Sequence, residues 1–318
     1  MDELIAVADL GTNSTRLLVA RVGADGAVEE LERRTDVTRL GEGVDSSGRL
    51  SDEAMERVHT RLAAYREIAD RHGARRRVAV ATSAVRDAEN GAKFTAAVGR
   101  RHGFDVRVIS GDEEARLTFL GATSGRDRTA GPVLVFDIGG GSTEYVIGTP
   151  GEAPTFHVST RLGSVRQTER HIRSDPPDAD ELASLAQATA AVIAERVPRA
   201  VRAGVGAGIA VAGTATSLAA IDQRLDPYDP ARVHGYELGL AAAERMLAML
   251  AAMPVADRRE IAGLLPDRAP TIVAGAVILV ESMRAFALES VEVSEADILQ
   301  GSAADSALYG GDNGGTTG

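Results

Sequence analysis

The sequence predicts a duplicated α/β fold made of two lobes of the same design. One observation is a repeated stretch: DLGTNSTRLLVA, residues 9–20, and DIGGGSTEYVIG, residues 137–148, share the Asp, the first Gly, the Ser and the Thr. Another is that both halves surround this stretch with strand-like segments and continue with alternating helix and strand patterns. A third is length, because 318 residues allow two domains that each bury a core.

The first half predicts the element order βββαβαβα. The segments LIAVADL, TRLLVARV and AVEELERRTDV are separated by turn residues and predict a three-stranded antiparallel meander. Residues 51–71 open with Ser51 and two acids and carry apolar residues at helical spacing, which predicts a capped helix. RRVAVATSAV then predicts a buried strand, residues 87–101 a helix, FDVRVIS a strand and DEEARLTFLGA a helix.

The second half begins with the same unit, because PVLVFDI, TEYVIGT and TFHVST again predict three strands. A long helix is predicted over 178–203, GIAVAGT as a strand, TATSLAAI as a helix start, and SVEVS as a last strand in a mostly helical remainder. The polar stretch SGRDRTAG, residues 124–131, marks the boundary. We therefore expect lobes at 1–125 and 126–309, and the low-complexity residues 310–318 predict a disordered tail.

Composition excludes several classes of protein. The chain has no Cys, which rules out disulfides, thiolate metal sites and cysteine nucleophiles. A net charge of −11 argues against a nucleic-acid partner held by bulk charge. The N-terminal MDELIAVADLG has no basic region before its apolar residues, and TIVAGAVILV is too short to span a bilayer. We expect a cytoplasmic protein with no membrane partner.

The two repeated turns predict phosphate-binding loops. After a strand, successive Gly and small hydroxyl residues let backbone N–H groups converge on an anion, and Ser and Thr add further donors. An Asp at the strand end, here Asp9 and Asp137, can hold Mg²⁺ against the same phosphate. One such turn is equally well a tight hairpin, but two matching turns at equivalent places favour phosphate. The candidates are Gly11, Thr12, Asn13, Ser14 and Thr15 in the first turn and Gly139, Gly140, Gly141 and Ser142 in the second.

Arg86 is a further candidate for phosphate binding. In ATSAVRDAEN, residues 81–90, it follows a strand end and opens a helix, a favoured anion position in α/β sheets. A guanidinium there can bind a terminal phosphoryl group through two N–H bonds. The alternative is a solvated Arg paired with Asp87 or Glu89.

Two helix starts carry other candidates. In SGDEEARL, residues 110–117, acids in a first turn favour the helix dipole and Ser110 or Asp112 caps it, while one Glu can instead accept a proton from an attacking water. GTATSLAA, residues 213–220, opens a helix with Gly213 and Thr214, which is either a ligand turn or a helix cap. The His residues show no metal-ligand spacing, and no serine-hydrolase elbow is present.

Taken together, these stretches resemble the exopolyphosphatase and guanosine pentaphosphate phosphohydrolase family. The resemblance rests on motifs in the family's order over nearly the whole chain: VADLGTNSTRLLVARV, ATSAVRDAENG, VISGDEEARLTFLGA, VFDIGGGSTEYVIG, RLGSVRQTE, VAGTATSLAAI and PDRAPTIVAGAVIL. It implies a duplicated actin-like, ribonuclease H-like architecture with an interlobe cleft. The chain resembles a short form without the C-terminal HD-type domain, and ILQGSA stands where the family often has Arg-Glu-Gly.

The resemblance implies a phosphoanhydride hydrolase that releases orthophosphate from inorganic polyphosphate, of short chain length in this short form, or from the 5′ end of pppGpp. It implies Glu114 as the base, Asp137 and Glu144 in catalysis and metal binding, and Arg86 and the two turns on phosphate. Mg²⁺ or Mn²⁺ is the implied metal, with Asp9 as a third candidate ligand. A monovalent cation such as K⁺, a homodimer and a place in the stringent response and phosphate metabolism are properties that the family allows.

The hypothesis from the sequence is in-line attack on a terminal phosphoryl group held between the two turns. Three alternatives stay open: an ATP-dependent kinase of the same superfamily, a non-catalytic polyphosphate or nucleotide sensor, and an actin-like assembly protein. A kinase transfers phosphate to an acceptor, a sensor binds without turnover, and an assembly protein forms filaments.

Overall fold

A computed structural model of the chain describes residues 2–24, 26–126 and 131–309, with side chains described up to 305 in the last helix. These residues form two compact units. The first unit contains the described residues up to Arg126 and the segment from Asp297 onward, and the second contains those between, up to Ala296. The predicted disordered tail, 310–318, and half of the predicted linker, residues 127–130, lie outside the described residues.

The first unit is built on a five-stranded sheet in the order β3-β2-β1-β4-β5. Its strands are β1 (Glu3–Leu10), β2 (Ser14–Val22), β3 (Val28–Val37), β4 (Arg76–Ala81) and β5 (Asp105–Val108). The first three form an antiparallel meander, and β4 and β5 continue parallel to β1. The predicted meander and the two later strands are confirmed.

Helices cover both faces of this sheet. They are α1 (Val44–Ser47), α2 (Asp52–Arg71), α3 (Ser83–Asp87), α4 (Gly91–His102), α5 (Gly111–Ala122) and the last helix, α14 (Ile298–Tyr309). Ser51 caps α2 as predicted, since its side chain accepts a hydrogen bond from the N–H of Ala54. On one face, Leu62, Tyr65 and Phe94 from α2 and α4 form a core with the alternate residues of β1 and β2.

The second unit is built on a six-stranded sheet in the order β10-β11-β9-β6-β7-β8. Its strands are β6 (Val133–Ile138), β7 (Thr143–Gly148), β8 (Phe156–Thr160), β9 (Gly208–Val211), β10 (Tyr236–Gly239) and β11 (Ser290–Ser294). β6, β7 and β8 form an antiparallel meander, and β9 and β11 lie parallel to β6. Leaving out β10, the strand order is that of the first unit, so the predicted duplication is confirmed.

The second unit is mostly helical outside its sheet. Its helices are α6 (Ser164–His171), α7 (Ala179–Arg196), α8 (Arg199–Ala203), α9 (Ala212–Asp222), α10 (Pro230–Val233), α11 (Leu240–Ala251), α12 (Val255–Arg258) and α13 (Ile272–Ala285), with a 3₁₀ turn at Pro266–Arg268. Phe136 and Tyr145 stack with ring centroids 6.4 Å apart in a core that α9 and α13 complete. Among the described residues, no helix is long and apolar enough to cross a bilayer.

Three elements differ from the sequence-based expectation. The helix predicted at 178–203 is two helices, because Val197 adopts an extended conformation before Pro198. The helix predicted at 87–101 begins only at Gly91, and a separate short helix precedes it. The edge strand β10 was not predicted, since its four residues are too few to stand out within a mostly helical stretch.

The largest correction concerns the last helix, which the sequence placed in the second lobe. In the structure α14 belongs to the first unit, because Leu299 and Ala303 pack on the face of β1 and β2 that carries Val7 and Leu18. Gly301 permits this packing, since a Cβ on it would lie 1.8 Å from the backbone oxygen of Leu117 in α5. The first unit is therefore assembled from two separate parts of the chain.

Candidate functional site

The first repeated turn joins β1 to β2, and its backbone carbonyls accept hydrogen bonds from the segment that follows β3. The N–H of Gly11 donates to the carbonyl of Ser14 at 3.1 Å and closes the turn. The carbonyl of Thr12 accepts from the N–H of Gly41 at 2.8 Å, and that of Asn13 accepts from two N–H groups, those of residues 38 and 39. Within the described part of the chain, the N–H groups of Thr12 and Asn13 make no hydrogen bond.

The second turn joins β6 to β7 and repeats this arrangement. The N–H of Gly139 donates to the carbonyl of Ser142 at 3.0 Å. The carbonyl of Gly140 accepts from the N–H groups of residues 165 and 166, and the carbonyl of Gly141 accepts from Nε of Arg166 at 2.8 Å. Gly140 and Gly141 are buried, and neither N–H group has a hydrogen-bond partner among the described residues.

This backbone geometry suits both turns to the binding of an anion. In a planar peptide unit the carbonyl and the following N–H point in opposite directions. The carbonyls of Thr12 and Gly140 point toward the segments that donate to them. The N–H groups of Asn13 and Gly141, in the same peptide units, therefore point away from those segments. A buried N–H without a partner is unfavourable, and an anion that accepts hydrogen bonds from several such groups relieves that penalty.

Thr15 does not take part in this arrangement. It is fully buried, and its hydroxyl lies 2.8 Å from the hydroxyl of Thr38. Its carbonyl accepts a hydrogen bond from the hydroxyl of Tyr65. Thr15 thus binds β2 to its neighbours. Thr12 lies within the turn, where it is buried and its hydroxyl is 2.8 Å from that of Ser83.

The acid before the first turn forms an ion pair. Asp9 and Arg16 face each other in the β1–β2 register, and Oδ2 of Asp9 accepts from Nε and Nη2 of Arg16 at 2.9 and 2.7 Å. Nη1 of Arg16 also binds the buried carboxylate of Asp297 at the start of α14. Burial raises the pKa of Asp9, and the Arg16 guanidinium opposes that rise.

The acid before the second turn faces another acid. Asp137 and Glu144 are cross-strand partners of β6 and β7, and both are buried. Directly opposed residues in an antiparallel pair project from the same face, with Cβ atoms roughly 4.5–5.5 Å apart. Oε1 of Glu144 accepts a hydrogen bond from Oγ of Ser159 at 2.7 Å. At the equivalent places, one unit has an Asp–Arg pair and the other has two carboxylates.

Arg86 and Glu114 form a second charged pair in the first unit. Nη1 of Arg86 lies 3.2 Å from Oε2 of Glu114 and donates to the carbonyl of Ile109 at 2.8 Å. The pairing of Arg86 with Asp87 or Glu89, an alternative from the sequence, is not the contact observed. Glu114 is nearly buried, with 10% of its side chain exposed, whereas 27% of the Arg86 side chain is exposed.

The structure distinguishes the two neighbouring glutamates that the sequence left open. Glu113 is paired with Arg116 on the same helix at 2.8 Å and is 40% exposed. That hydrogen bond lowers the pKa of Glu113. Ser110 caps the helix, since its hydroxyl accepts from the N–H of Glu113. Glu113 therefore forms an ion pair on the surface of the helix, and Glu114 is the buried acid beside Arg86.

The second-unit candidates Gly213 and Thr214 lie in the first turn of α9, which has no side-chain cap. Ala212 before them has φ of 65°, a conformation that L-residues adopt at a cost of about 1–3 kcal/mol and that concentrates at functional sites. The guanidinium of Arg268 lies directly on Gly213, since a Cβ there would be 1.0 Å from Nη1. Arg268 lies in the motif PDRAPTIVAGAVIL, but nothing in the sequence alone distinguishes it as a site residue.

The candidate residues fall into two groups, one in each unit. The first unit holds the turn at residues 11–14, the Asp9–Arg16 pair and the Arg86–Glu114 pair; the second holds the turn at residues 139–142, the two carboxylates and the start of α9. Among the described residues, no group of three or more His, Asp or Glu side chains is arranged to hold a metal ion. Sequence reasoning missed Arg16, Arg166 and Arg268, which contact the predicted site residues through the fold.

Comparison with known proteins gives a consistent result. The model of the Ppx/GppA phosphatase family matches residues 18–309. Exopolyphosphatase 2 of Mycobacterium tuberculosis is 36% identical over 313 residues, which cover 93% of this chain and 96% of that protein. A crystal structure of an exopolyphosphatase-like protein has 34% identity and a TM-score of 0.89, covering 96% of this chain and 99% of that one.

A second solved structure, the Aquifex aeolicus member of the Ppx/GppA family, has 29% identity and a TM-score of 0.81 over 98% of this chain and 99% of that one. The match therefore extends over both units and their connection in sequence. With the duplicated sheets and the two equivalent turns, it shows that the chain belongs to the Ppx/GppA phosphatase family.

Proposed function

We propose that the protein is an exopolyphosphatase, a hydrolase that cleaves the terminal phosphoanhydride bond of inorganic polyphosphate and releases orthophosphate. The observation that carries this proposal is the pair of equivalent turns in which carbonyls accept hydrogen bonds from neighbouring segments, while the middle N–H groups, those of residues 12, 13, 140 and 141, have no partner among the described residues. Each such turn suits a phosphate group, whose oxygens accept several hydrogen bonds at once. The relatives named exopolyphosphatase match over nearly the whole chain.

We assign phosphate binding to each unit separately. In the first unit the donors are the N–H groups of Thr12 and Asn13 in the turn Gly11–Ser14, which the N–H of Gly11 closes. The hydroxyls of Thr12 and Thr15 are left out because each lies 2.8 Å from another hydroxyl. In the second unit the donors are the N–H groups of Gly140 and Gly141 together with Ser142, and the N–H of Gly139 closes the turn. Preorganised N–H groups stabilise negative charge that develops in a transition state, because they need no reorientation during the reaction.

Glu114 is proposed as the base that accepts a proton from the attacking water. It is the acid of the first unit that combines burial with a contact to a cationic phosphate-binding candidate, Arg86 at 3.2 Å. Arg86 is proposed to bind phosphoryl oxygens with the N–H groups of its guanidinium that do not contact Ile109. The proton from water then passes to the Glu114 carboxylate as the new P–O bond forms and the anhydride bond breaks.

Asp137 and Glu144 fit a divalent metal, and we propose them as its ligands. They are opposed, buried carboxylates, and Mg²⁺ is commonly held by one or two carboxylates together with substrate phosphates and water. A bound Mg²⁺ supplies neutralisation of phosphate charge. Asp9 is left out of this set, because Arg16 already occupies its Oδ2 with two hydrogen bonds.

Gly213 and Thr214 stay a proposed ligand turn of the second unit. The support is the strained φ of Ala212 and the guanidinium of Arg268 on Gly213, since Arg is the side chain best suited to phosphate oxygens. The homodimer, the monovalent cation, the role in the stringent response and the cytoplasmic location stay predictions of the sequence.

The proposal is tested by orthophosphate release from tripolyphosphate and from longer polyphosphate with Mg²⁺, in parallel with pppGpp. We expect steady release from polyphosphate and loss of release in EDTA. Faster release from pppGpp than from any polyphosphate would replace the proposed substrate. Release that continues undiminished in EDTA would refute the metal assignment, and binding without release would favour a sensor.

A further inference from the structure

A second repeat accompanies the phosphate turns. The tetrapeptide Thr-Arg-Leu-Gly occurs at Thr38–Gly41 and again at Thr160–Gly163. In each unit it lies at the end of the third strand of the meander. The first copy begins directly after β3, which ends at Val37, and the second begins at the last residue of β8, Thr160. Both leucines are buried in the core of their own unit. We call these two tetrapeptides the braces.

The first brace holds the first turn by main-chain hydrogen bonds. The N–H groups of Thr38 and Arg39 both donate to the carbonyl of Asn13, at 3.0 and 2.8 Å, and that of Gly41 donates to the carbonyl of Thr12. Arg39 has φ of 49°, in the left-handed region that non-glycine residues rarely adopt. This strain allows two successive N–H groups to reach one carbonyl.

The first brace is itself fixed from outside. Nε of Arg57, on α2, donates to the carbonyl of Thr38 at 2.7 Å, and its Nη2 donates to the carbonyl of Arg39 at 3.3 Å. The guanidinium thus binds the carbonyls of the same residues whose N–H groups bind the turn. The chain of contacts runs from the helix through the brace to Asn13.

The second brace and the residues that follow it hold the second turn. Oγ1 of Thr160 donates to the carbonyl of Thr143, and the hydroxyl of Thr143 binds the carbonyl of Leu162. Directly after the brace, the N–H of Ser164 donates to the carbonyl of Gly139 at 2.9 Å. The main chain and side chain of Arg166, a buried residue, then bind the carbonyls of the two middle glycines.

The glycine that ends each brace touches the turn directly. A Cβ on Gly41 would lie 2.2 Å from Cγ2 of Thr12, and a Cβ on Gly163 would lie 2.2 Å from the carbonyl oxygen of Gly140. Real Cβ atoms do not approach other atoms this closely, so a side chain at Gly41 must move the Thr12 methyl and one at Gly163 must move the main chain of the turn. The two copies of the motif therefore both pack against the equivalent second residue of their turn, through a side chain in one unit and through the backbone in the other.

We infer that the braces are positioning elements for phosphate, and that Gly41 and Gly163 keep the turn N–H groups aimed at the substrate. They act through the turn and touch no substrate themselves. The inference rests on the proposed function, because it assumes that phosphate binds at these turns. It adds residues that neither the motif order nor the family match assigns to the site.

The test is Gly41→Ala, measured with the full-length protein. We expect kcat for tripolyphosphate to fall at least about tenfold, since loss of a single preorganised donor costs roughly 10²–10³ in rate. The matched control is Gly99→Ala in α4, where the nearest atom to a new Cβ is 3.5 Å away and Ala favours the helix. Gly163→Ala and its control Gly206→Ala, where the new Cβ meets nothing within 4 Å, repeat the test in the second unit.

A rescue separates positioning from general damage. Thr12→Ser removes the methyl group that a Cβ on Gly41 would strike, which leaves contacts of 3.1 Å or more. In the Thr12→Ser background, Gly41→Ala should therefore lower kcat less than about threefold, although the same Cβ is present. Rescue of kcat, with similar melting temperatures for all variants, is a result that a merely structural role of Gly41 does not give.

A readout without turnover keeps this inference distinct from the proposed function. Orthophosphate is added to ¹⁵N-labelled protein, and the amide signals of residues 12, 13, 140 and 141 are expected to shift in the wild type and to shift less in the Gly41→Ala and Gly163→Ala variants. If wild-type protein releases no phosphate, the proposed function fails and these shifts still decide the inference. Wild-type kcat in Gly41→Ala, an unrescued double variant, or turn amides that ignore orthophosphate would each overturn it.

Discussion

Replacement of the proposed base gives the sharpest prediction. Glu114→Gln keeps the size of the side chain and an oxygen that can accept the hydrogen bond of Arg86. In the wild type, Nη1 of Arg86 lies 3.2 Å from Oε2 of Glu114. It removes the negative charge and the capacity to take a proton. General-base catalysis contributes about 10²–10⁴ in rate, which corresponds to roughly 3–5 kcal/mol of transition-state stabilisation. We therefore expect kcat to fall by that factor.

The effect on folding should be much smaller. Arg86 keeps its bond to the carbonyl of Ile109, so the substitution leaves no guanidinium without an acceptor. Because 27% of the Arg86 side chain is exposed, its guanidinium stays hydrated when the ion pair is lost, so the cost should be about 1 kcal/mol and the melting temperature should shift by only a few degrees. Loss of activity with the fold retained is thus the expected signature.

The assay is orthophosphate release from tripolyphosphate with Mg²⁺ over a range of substrate concentrations. The matched control is Glu113→Gln, one residue earlier, whose partner Arg116 is also bound to Asp305. The control changes the same charge on the same helix turn and should keep kcat within twofold. A Glu114→Gln enzyme that turns over within threefold of wild type would refute the assignment of the base.

Three further predictions concern the metal, the last helix and pH. Asp137→Asn should raise the Mg²⁺ concentration needed for half-maximal rate by at least about tenfold, since even an outer-shell partner of a metal ligand contributes that much; the measurement is a Mg²⁺ titration of phosphate release. Gly301→Ala should destabilise the fold by about 1–3 kcal/mol and lower the melting temperature by roughly 2–12 °C, because the new Cβ would lie 1.8 Å from the carbonyl oxygen of Leu117. His59 and His102, with Nδ1 and Nε2 only 3.0 Å apart, have their pKa values lowered by burial. The unfolded state then binds more protons below about pH 6.5, so melting temperature should fall as pH decreases from 7 to 5.

Each of these predictions has its own control. Asp2→Asn at the N-terminus removes the same charge as the first change and should leave the Mg²⁺ titration unaltered. Gly99→Ala, in an open part of α4, should not lower the melting temperature. His102→Gln should flatten the pH dependence of melting, and an unchanged slope would show that the His pair is not its source.

The sequence predicts the repeated elements of this fold well because the repeat is local. The strand–turn–strand unit at each Asp, the cap at Ser51 and the amphipathic face of α2 depend on residues within a few positions of one another. The match between two distant stretches adds evidence that a single turn lacks. These features were therefore accessible without a structure.

What could not be predicted depends on contacts between distant segments. Arg16 lies within the first repeated stretch, but its second partner, Asp297, is near the other end of the chain. Glu113 and Glu114 are neighbours in a polar helix start, and only the packing of the helix decides which one is buried. The repeated brace could have been found in the sequence, because both copies are identical and each follows a third strand.

The return of the last helix to the first unit has a consequence for synthesis on the ribosome. The apolar face of β1 and β2, with Val7 and Leu18, is completed by Leu299 and Ala303 of α14. Translation passes through the whole second unit before α14 is made, which takes about 10–30 s at roughly 5–20 residues per second. During that interval the nascent first unit presents an uncovered apolar sheet face, which leaves the N-terminal half exposed to aggregation until the final helix emerges.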